Sequence, residues 1–276
     1  MTQAITSVLE LAGEYDAIVF DQWGVLHDGT APYSGALDVI RSLKAKGQCT
    51  AILSNSGKRA ESNLNRIARF GFDTKNFSKV ITSGEALWQD VQSGKVPERA
   101  FFAIERSAGD AAAWAAGLEV DLVGLEKAKA VLLMGLPDRA DLVNLKSTLK
   151  GTLARHLPLY CSNPDKASPR ADGLVVSPGA LAEWYRKEGG QVRFYGKPHG
   201  PVFDALQTAL ACDHILMVGD SLEHDIAGAA RAGWDSVLIQ NGLYRDRFAH
   251  NSADYVISEL VQVHGTAPTY SLAELS

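Results

Sequence analysis

Short apolar runs alternate with amphipathic stretches along the first third of the chain. Residues 17–20 (AIVF) are four apolar residues in succession, which predicts a buried parallel strand that ends at Asp21. Apolar residues then recur at helical spacing over 36–43, and a second apolar strand is predicted at 50–53. A helix ending at Gly71 and a short strand at 79–84 (KVITSG) follow. This order of strands and helices is typical of a parallel, doubly wound α/β sheet.

A second series of strands and helices follows the first. Three strands are predicted around FFAI, VLLM and PLYC, and each is followed by a helical pattern. The first series then resumes with apolar strands at 192–198, 214–221 and 235–242, and the segment 255–263 (YVISELVQV) is apolar enough for a sheet edge or a covering segment.

These patterns predict two α/β domains in one chain. We expect a doubly wound core made of residues 1–84 and 191–276, and an inserted α/β domain made of residues 85–190. The junctions are short, as is typical of an inserted domain.

Composition excludes several classes of function. The net charge is −5 and no basic patch is present, so we expect no nucleic-acid partner. No apolar run approaches the ~20 residues of a membrane span, and the first residues carry acids rather than a basic segment, so neither a membrane partner nor a secretory signal is expected. The 3 cysteines, Cys49, Cys161 and Cys212, are scattered, which favours reduced thiols in a cytoplasmic protein.

Four polar residues stand at or just after predicted strands of the core. Asp21, Ser54 and Asp220 end strands, and Lys197 lies just past another. Ligands of open α/β sheets bind beyond the carboxyl ends of the strands, so we expect these groups to converge. The hypothesis is phosphoryl transfer with an aspartate nucleophile. A carboxylate and a phosphate repel each other, so the reaction needs a hard cation, and Mg²⁺ prefers carboxylate and phosphate oxygens.

Each residue has its own role in this hypothesis. Asp21 and Asp220 supply carboxylates for Mg²⁺, and Lys197 neutralises the phosphate and the attacking acid. The Ser54 hydroxyl and the backbone amides of Asn55 and Ser56 hold phosphate oxygens at a turn that leads into a helix. Taken singly, each residue also has a structural explanation: an acid at a strand end is commonly a turn former or helix cap, and a lysine is commonly a solvated surface charge.

The order of these residues resembles the haloacid dehalogenase superfamily. The matching elements are Asp21 after an apolar strand, Ser54 after a second strand, Lys197 in YGKP, and the GDxxxxD pattern of Gly219, Asp220 and Asp225. The resemblance covers the whole chain and implies a Rossmann-like core with a type-II α/β cap. SNSGKR after the second strand, and CSNPD in the insertion, resemble the branch related to p-nitrophenyl phosphatase and sugar phosphatases.

The resemblance also implies site residues and partners. Asp21 is the nucleophile, Asp21 and Asp220 bind Mg²⁺ together with the main-chain carbonyl of Trp23, and Asp225 binds through water or orients the other ligands. Asn163, in the NPD turn of the cap, and the segment 170–173 are candidates for substrate binding, and Arg106 is a weaker one. The substrate is a small phosphorylated metabolite. Caps of this type often carry subunit interfaces, so assembly as a homodimer is an alternative that the sequence leaves open.

Trp23 departs from the family pattern. Phosphatases of this family carry an aspartate there as general acid/base, and an indole cannot do that work. Three explanations stay open: substrates with good leaving groups such as acyl or aryl phosphates, a substitute such as His27, Asp28 or a cap residue, or a phosphate- and metal-binding regulatory protein with little turnover. Cleavage of carbon–halogen or carbon–phosphorus bonds is a further alternative, although relatives doing so resemble a different cap type.

Overall fold

The computed structural model describes residues 2–138, 140–170 and 173–275. Its strands are, in chain order, β1 (Gln3–Ala4), β2 (Ala17–Phe20), β3 (Cys49–Ser54), β4 (Lys79–Thr82), β5 (Ala100–Ile104), β6 (Asp121–Leu122), β7 (Ala130–Leu133), β8 (Leu159–Cys161), β9 (Ala167–Arg170), β10 (Gly173–Val176), β11 (Val192–Phe194), β12 (Ile215–Gly219), β13 (Asp235–Ile239) and β14 (Tyr270–Leu272). Its α-helices are α1 (Ala36–Ala45), α2 (Ala60–Arg69), α3 (Ser83–Gln92), α4 (Asp110–Ala115), α5 (Leu142–Ala154), α6 (Pro178–Lys187), α7 (Gly200–Leu210), α8 (Ala227–Ala232), α9 (Arg245–His250) and α10 (Ala253–His264).

The chain divides into two compact units. The first unit comprises Met1–Ser54, Glu61–Ile81 and Lys197–Ser276, and the second comprises Asn55–Ala60 and Thr82–Gly196. The predicted α/β fold class, with parallel sheets and flanking helices, is confirmed. The assignment of residues 85–190 to a separate inserted domain stays a proposal. The second compact unit extends beyond these bounds, as far as Gly196.

The first unit is built on one seven-stranded sheet with the order β1-β14-β13-β12-β2-β3-β4. The strands from β14 to β3 are parallel to their neighbours. From the adjacent central strands β2 and β12 the strand order runs outward in opposite directions. The crevice at such a switch point, beyond the carboxyl ends of the strands, is where ligands of open α/β sheets bind.

The central strands are apolar because both of their faces are covered. Every residue of β2 and β12 is buried. Helix α1 packs on the sheet through one apolar stripe, formed by Ala36, Val39, Ile40 and Leu43. Continuous apolar runs in the strands and one apolar stripe in the helix are the patterns that parallel sheets with covering helices require.

The second unit has a five-stranded parallel sheet with the order β11-β8-β7-β5-β6 and an antiparallel hairpin of β9 and β10. The prediction that the strand near 192–198 returns the chain to the first sheet is wrong, because β11 pairs with β8 through Val192 and Leu159. Its short sequence fits either sheet, and only the long-range pairing decides between them.

The segment 255–263 is the middle of helix α10 rather than a sheet edge. The Ser252 hydroxyl accepts a hydrogen bond from the Tyr255 amide at the start of this helix, and Gly265 ends it in a left-handed conformation. Val256, Ile257 and Leu260 pack against the turn that follows β12, so the alternative of a covering segment is confirmed. Within the described ranges, no helix has both the length and the apolar character needed to cross a membrane.

Candidate active site

Asp21 and Asp220 lie at the carboxyl edge of the two central strands. Asp21 directly follows β2, and its amide donates to the Val218 carbonyl of β12 at 2.9 Å. Asp220 directly follows β12. The register that pairs Val218 with Phe20 therefore brings both carboxylates to the switch point of the sheet.

Lys197 is fully enclosed by this site. It is 2% exposed, and its Nζ atom lies 2.7 Å from Asp21 Oδ1, 2.7 Å from Asp225 Oδ1 and 3.2 Å from the Leu53 carbonyl. The alternative of a solvated surface charge is therefore wrong. Burial by itself would lower the pKa of Lys197, but the charges of Asp21 and Asp225 outweigh it and raise the pKa. Lys197 is a permanent cation beside the predicted nucleophile.

Asp225 is held in place by the loop that follows β12. Its Oδ2 atom accepts from the amides of Asp220 at 3.2 Å and Ser221 at 3.1 Å, while Oδ1 accepts from Lys197. A π-helical turn, Leu222–Ile226, brings Asp225 back beneath this loop. Because both oxygens of Asp225 already accept hydrogen bonds, this residue is better suited to orienting Lys197 and the Asp220 loop than to binding an ion directly.

Gly24 allows the loop after Asp21 to approach Asp220 closely. Its φ is +83°, and a Cβ atom built on Gly24 would lie 1.8 Å from Asp220 Oδ2. The same Oδ2 atom accepts from the Leu243 amide at 2.8 Å. A side chain at position 24 would therefore both strain the backbone and displace the Asp220 carboxylate.

The charge balance of the site suits a divalent cation. Asp21, Asp220 and Asp225 each offer a carboxylate oxygen, and these atoms lie within 4.8 Å of one another. Among the described ion pairs, Lys197 is the cation that contacts these carboxylates. Burial raises the pKa of Asp21 and Asp220, with the neighbouring carboxylates adding to the effect at both. With three carboxylate groups and one ammonium group, the cluster offers the oxygen donors that Mg²⁺ prefers. The Trp23 carbonyl as a further ligand stays a prediction.

The predicted phosphate-binding residues are divided between the two units. Ser54 is the buried last residue of β3, the strand beside β2. Asn55 and Ser56 belong to the second unit, where Asn55 Nδ2 donates to Asp165 Oδ1 at 2.7 Å and the Ser56 carbonyl accepts from the Gly84 amide at 3.0 Å. Asn163 Oδ1 accepts from the Asp165 amide at 3.1 Å, so Asn55 and Asn163 share one hydrogen-bonded cluster. Phosphate binding by these residues stays a prediction.

The two suggested substitutes for the missing acid lie in different environments. His27 is 1% exposed and its ring centroid lies 4.6 Å from that of Phe70, so it is a packed residue rather than a solvated loop residue. Burial lowers the pKa of His27 to about 4, assisted by the charge of Arg66. The exposed Asp28 carboxylate caps a turn by accepting from the amides of Thr30 and Ala31, which lower its pKa.

Sequence reasoning missed an amide–arginine cluster beside the nucleophile. Arg66 Nη2 on α2 donates to Gln22 Oε1 and to Asn63 Oδ1, each at 2.8 Å. Gln22 directly follows Asp21, and both Gln22 and Asn63 are buried. A glutamine in an otherwise apolar buried stretch was the available signal, because a buried amide needs a partner. Arg66 is that partner, and Asn63, one helical turn before it on α2, accepts a second hydrogen bond from the same nitrogen.

The remaining sequence candidates have structural partners. Arg106 Nη2 lies 3.3 Å from Asp138 Oδ1. Four further tryptophans are buried or partly buried and serve packing: Trp88, Trp114, Trp184 and Trp234. Cys49, Cys161 and Cys212 are free thiols. In the segment 170–173, residues 171 and 172 lie outside the described residues, and nothing follows for substrate binding there.

Known proteins resemble both the sequence and the structure of this chain. Two family models match: a haloacid dehalogenase-like hydrolase model over residues 18–119 and a related hydrolase-like model of the same superfamily over residues 194–263. Chronophin of Bos taurus is 27% identical over 249 residues, covering 85% of this chain and 84% of chronophin.

Solved structures extend the likeness to nearly the whole chain. A haloacid dehalogenase-like hydrolase from Brucella suis 1330 superposes with a TM-score of 0.82 and 28% identity, covering 99% of this chain and 100% of the other. A p-nitrophenyl phosphatase from Archaeoglobus fulgidus has the same fold, with a TM-score of 0.75 and 20% identity over 94% of this chain and 96% of its own.

The predicted resemblance, including its p-nitrophenyl phosphatase-like branch, is thereby confirmed. The two family models match the segments that carry Asp21, Ser54, Lys197, Asp220 and Asp225. The chain belongs to the haloacid dehalogenase-like hydrolases and is a hydrolase of the phosphatase type.

Proposed function

We propose that this protein hydrolyses the phosphate monoester of a small metabolite through an aspartyl-phosphate on Asp21, with Mg²⁺ as cofactor. One observation carries the proposal: the Asp21 carboxylate stands at the switch point of the sheet, 2.7 Å from a buried lysine and beside two further carboxylates. A structural ion pair alone would need one carboxylate beside the ammonium group, whereas Lys197 contacts two and a third lies next to them.

Asp21 and Lys197 perform the covalent steps. A carboxylate oxygen of Asp21 attacks phosphorus, the bond from phosphorus to the ester oxygen breaks, and the alcohol leaves as an oxyanion that takes a proton from solvent. Water then attacks the phosphorus of the acyl phosphate, which releases inorganic phosphate and restores the carboxylate. The Lys197 ammonium lowers the repulsion between the carboxylate and the phosphate in both steps.

Asp21 and Asp220 would hold the ion, and Asp225 would orient Lys197 and the Asp220 loop. When bound, Mg²⁺ supplies positive charge that stabilises the transferring phosphoryl group. Ser54, Asn55, Ser56 and Asn163 are proposed to bind the phosphate or the rest of the substrate. Location in the cytoplasm and a homodimer remain predictions.

Trp23 limits which esters are hydrolysed quickly. The indole N–H can donate a hydrogen bond but is too weak an acid to protonate a leaving alkoxide, and the loss of a general acid costs about 10²–10⁴ in rate. Esters whose oxyanion leaves without protonation are therefore the better substrates. The same residue motivates the alternative of a phosphate- and metal-binding regulatory protein with little turnover.

Phosphate release tests the proposal. Wild type and Asp21→Asn are compared on p-nitrophenyl phosphate and a panel of phosphorylated metabolites, with Mg²⁺ and with a chelator. We expect release that requires Mg²⁺ and falls at least about 10³-fold in Asp21→Asn, because an amide is not a nucleophile toward phosphorus. Asp38→Asn, an exposed residue of α1, is the matched control and keeps full activity.

No release by the wild type on any ester, together with measurable binding of inorganic phosphate and Mg²⁺, would instead establish the regulatory alternative. Circular dichroism of Asp21→Asn confirms that a loss of activity is not a loss of folding.

A further inference from the structure

Trp23 lies in the loop that runs from Asp21 past the Asp220 carboxylate. It is two residues beyond Asp21, and the next residue, Gly24, is in direct contact with the Asp220 carboxylate. The Trp23 backbone is therefore held between two of the groups that form the site. Trp23 as a whole residue is 38% exposed, whereas the packing tryptophans Trp114 and Trp234 are 1% and 5% exposed.

The loop after Trp23 holds one edge of the indole. Gly29 has a φ of +95°, and a Cβ atom built on it would lie 3.1 Å from Trp23 Nε1 and 3.6 Å from Cδ1. The backbone of Gly29 is itself tied to the site loop, because its amide donates to His27 Nδ1 at 3.0 Å and the Asp28 carboxylate caps the same turn. Only a glycine fits this approach without strain.

The rest of the indole is left in water, two residues beyond the predicted nucleophile. A tryptophan buries a large apolar area when it serves packing, so leaving over a third of it exposed forgoes that stabilisation. Trp23 also adds no acid, base or charge to the cluster. What an exposed indole does offer is a flat apolar face and an N–H donor, which together suit a planar aromatic ligand.

We infer that Trp23 is a specificity-determining residue that stacks on the aromatic leaving group of a phenolic phosphate ester. The inference rests on the proposed hydrolysis at Asp21, and it names the substrate class of that site. A phenol has a pKa near 10, as tyrosine does, so a phenolate leaves with its electron pair without needing a proton donor. Stacking therefore selects the esters that the site can cleave without a general acid.

Binding of two phosphonates tests the stacking directly. Phenylphosphonate and methylphosphonate lack the ester oxygen, and they differ in the aromatic ring. Their affinities for the Mg²⁺-loaded protein are measured by isothermal titration calorimetry in wild type, Trp23→Phe and Trp23→Leu. We expect wild type to prefer phenylphosphonate and Trp23→Leu to lose about three- to tenfold of that affinity, with methylphosphonate unchanged and Trp23→Phe close to wild type.

Kinetics on phenyl phosphate and glycerol phosphate provide the second measurement. Trp23→Leu should raise the ratio of KM for phenyl phosphate to KM for glycerol phosphate by a similar factor, and Trp23→Phe should keep the ratio of the wild type. Tyr255→Leu, an exposed aromatic residue of α10, is the matched control and should change neither ester.

The outcomes separate the two proposals. Phosphate release that depends on Asp21, without a Trp23-dependent preference in either measurement, overturns the stacking inference and leaves the hydrolysis intact. A Trp23-dependent preference for phenylphosphonate without phosphate release from any ester supports the stacking and overturns the hydrolysis. The absence of both overturns both.

Discussion

Lys197 shows how one residue determines the charge of this site. Its Nζ atom is 2.7 Å from carboxylate oxygens of both Asp21 and Asp225, and its environment excludes water. Bringing these charges together in a buried place costs desolvation free energy, which their mutual attraction offsets only with good geometry. A single lysine cannot neutralise three carboxylates, so the arrangement favours function over stability.

His27 makes stability depend on pH. The folded imidazole is neutral down to about pH 4, because burial disfavours its charged form, whereas an unfolded histidine takes up a proton near pH 6.5. The unfolded chain therefore binds more protons between these values, and stability falls as pH falls through this window. We expect His27 to contribute a loss of about 2 kcal/mol in the free energy of unfolding between pH 7 and pH 5.

Urea denaturation at the two pH values measures this contribution. His27→Gln should show a smaller decrease than wild type by about that amount, and His250→Gln, an exposed residue of α9, should decrease as wild type does. An equal decrease in wild type and His27→Gln would show that the folded imidazole is protonated at pH 5.

Within the second unit, one carboxylate joins helix α3 to the segment Asn55–Ala60. Glu85 of α3 accepts from Arg59 Nε at 2.6 Å and from the amide of Ala60, the first residue of α2, at 3.1 Å. The Arg59 guanidinium also lies 3.8 Å from the centroid of the Trp88 ring. Glu85 thus satisfies the amide of Ala60 and holds the Arg59 cation that stacks on Trp88 of the same helix α3.

Glu85→Ala is expected to lower the free energy of unfolding by about 1–3 kcal/mol, because it removes charged hydrogen bonds that are partly buried. Urea denaturation followed by circular dichroism measures the change. Glu61→Ala, an exposed acid in the first turn of α2, is the control and should change it by less than about 0.5 kcal/mol. Similar changes in the free energy of unfolding for both variants would show that Glu85 contributes no more than an ordinary surface acid.

At the scale of the whole molecule, the first unit carries its carboxylates on segments far apart in sequence. Asp21 follows β2 near the start of the chain, whereas Asp220 and Asp225 follow β12 nearly 200 residues later. The repulsion between these groups opposes folding until a cation compensates it. A ligand that binds only the folded state adds stability by mass action, about 2.7 kcal/mol at 100 times Kd.

We therefore expect Mg²⁺ to raise Tm, and a chelator to reverse the rise. The effect should weaken at acid pH, because the raised pKa values of Asp21 and Asp220 let protons compete with the ion. Differential scanning calorimetry of wild type, Asp220→Asn and the control Asp38→Asn measures the shift. A rise of equal size in Asp220→Asn would place the bound ion elsewhere.

Particular residues show how far the sequence predicts this protein. Asp21, Ser54 and Asp220 were predictable because each ends an apolar run, and local pattern locates strand ends. The role of His27 was not predictable, because its neighbour Phe70 is distant in sequence. The Arg66 bond to Gln22 was missed for the same reason. Helix α10 was ambiguous because a short apolar segment suits either a strand or a helix.

The sequence by itself determined the α/β class, the family and the residues that meet at one sheet edge, since these follow from local hydrophobic periodicity and from the order of motifs along the chain. Only the tertiary structure decided that β11 joins the second sheet, that Lys197 is enclosed between Asp21 and Asp225, and that Trp23 stays exposed. The reason is physical: strand pairing, burial and charge balance depend on contacts between residues far apart in sequence, and no local pattern contains them.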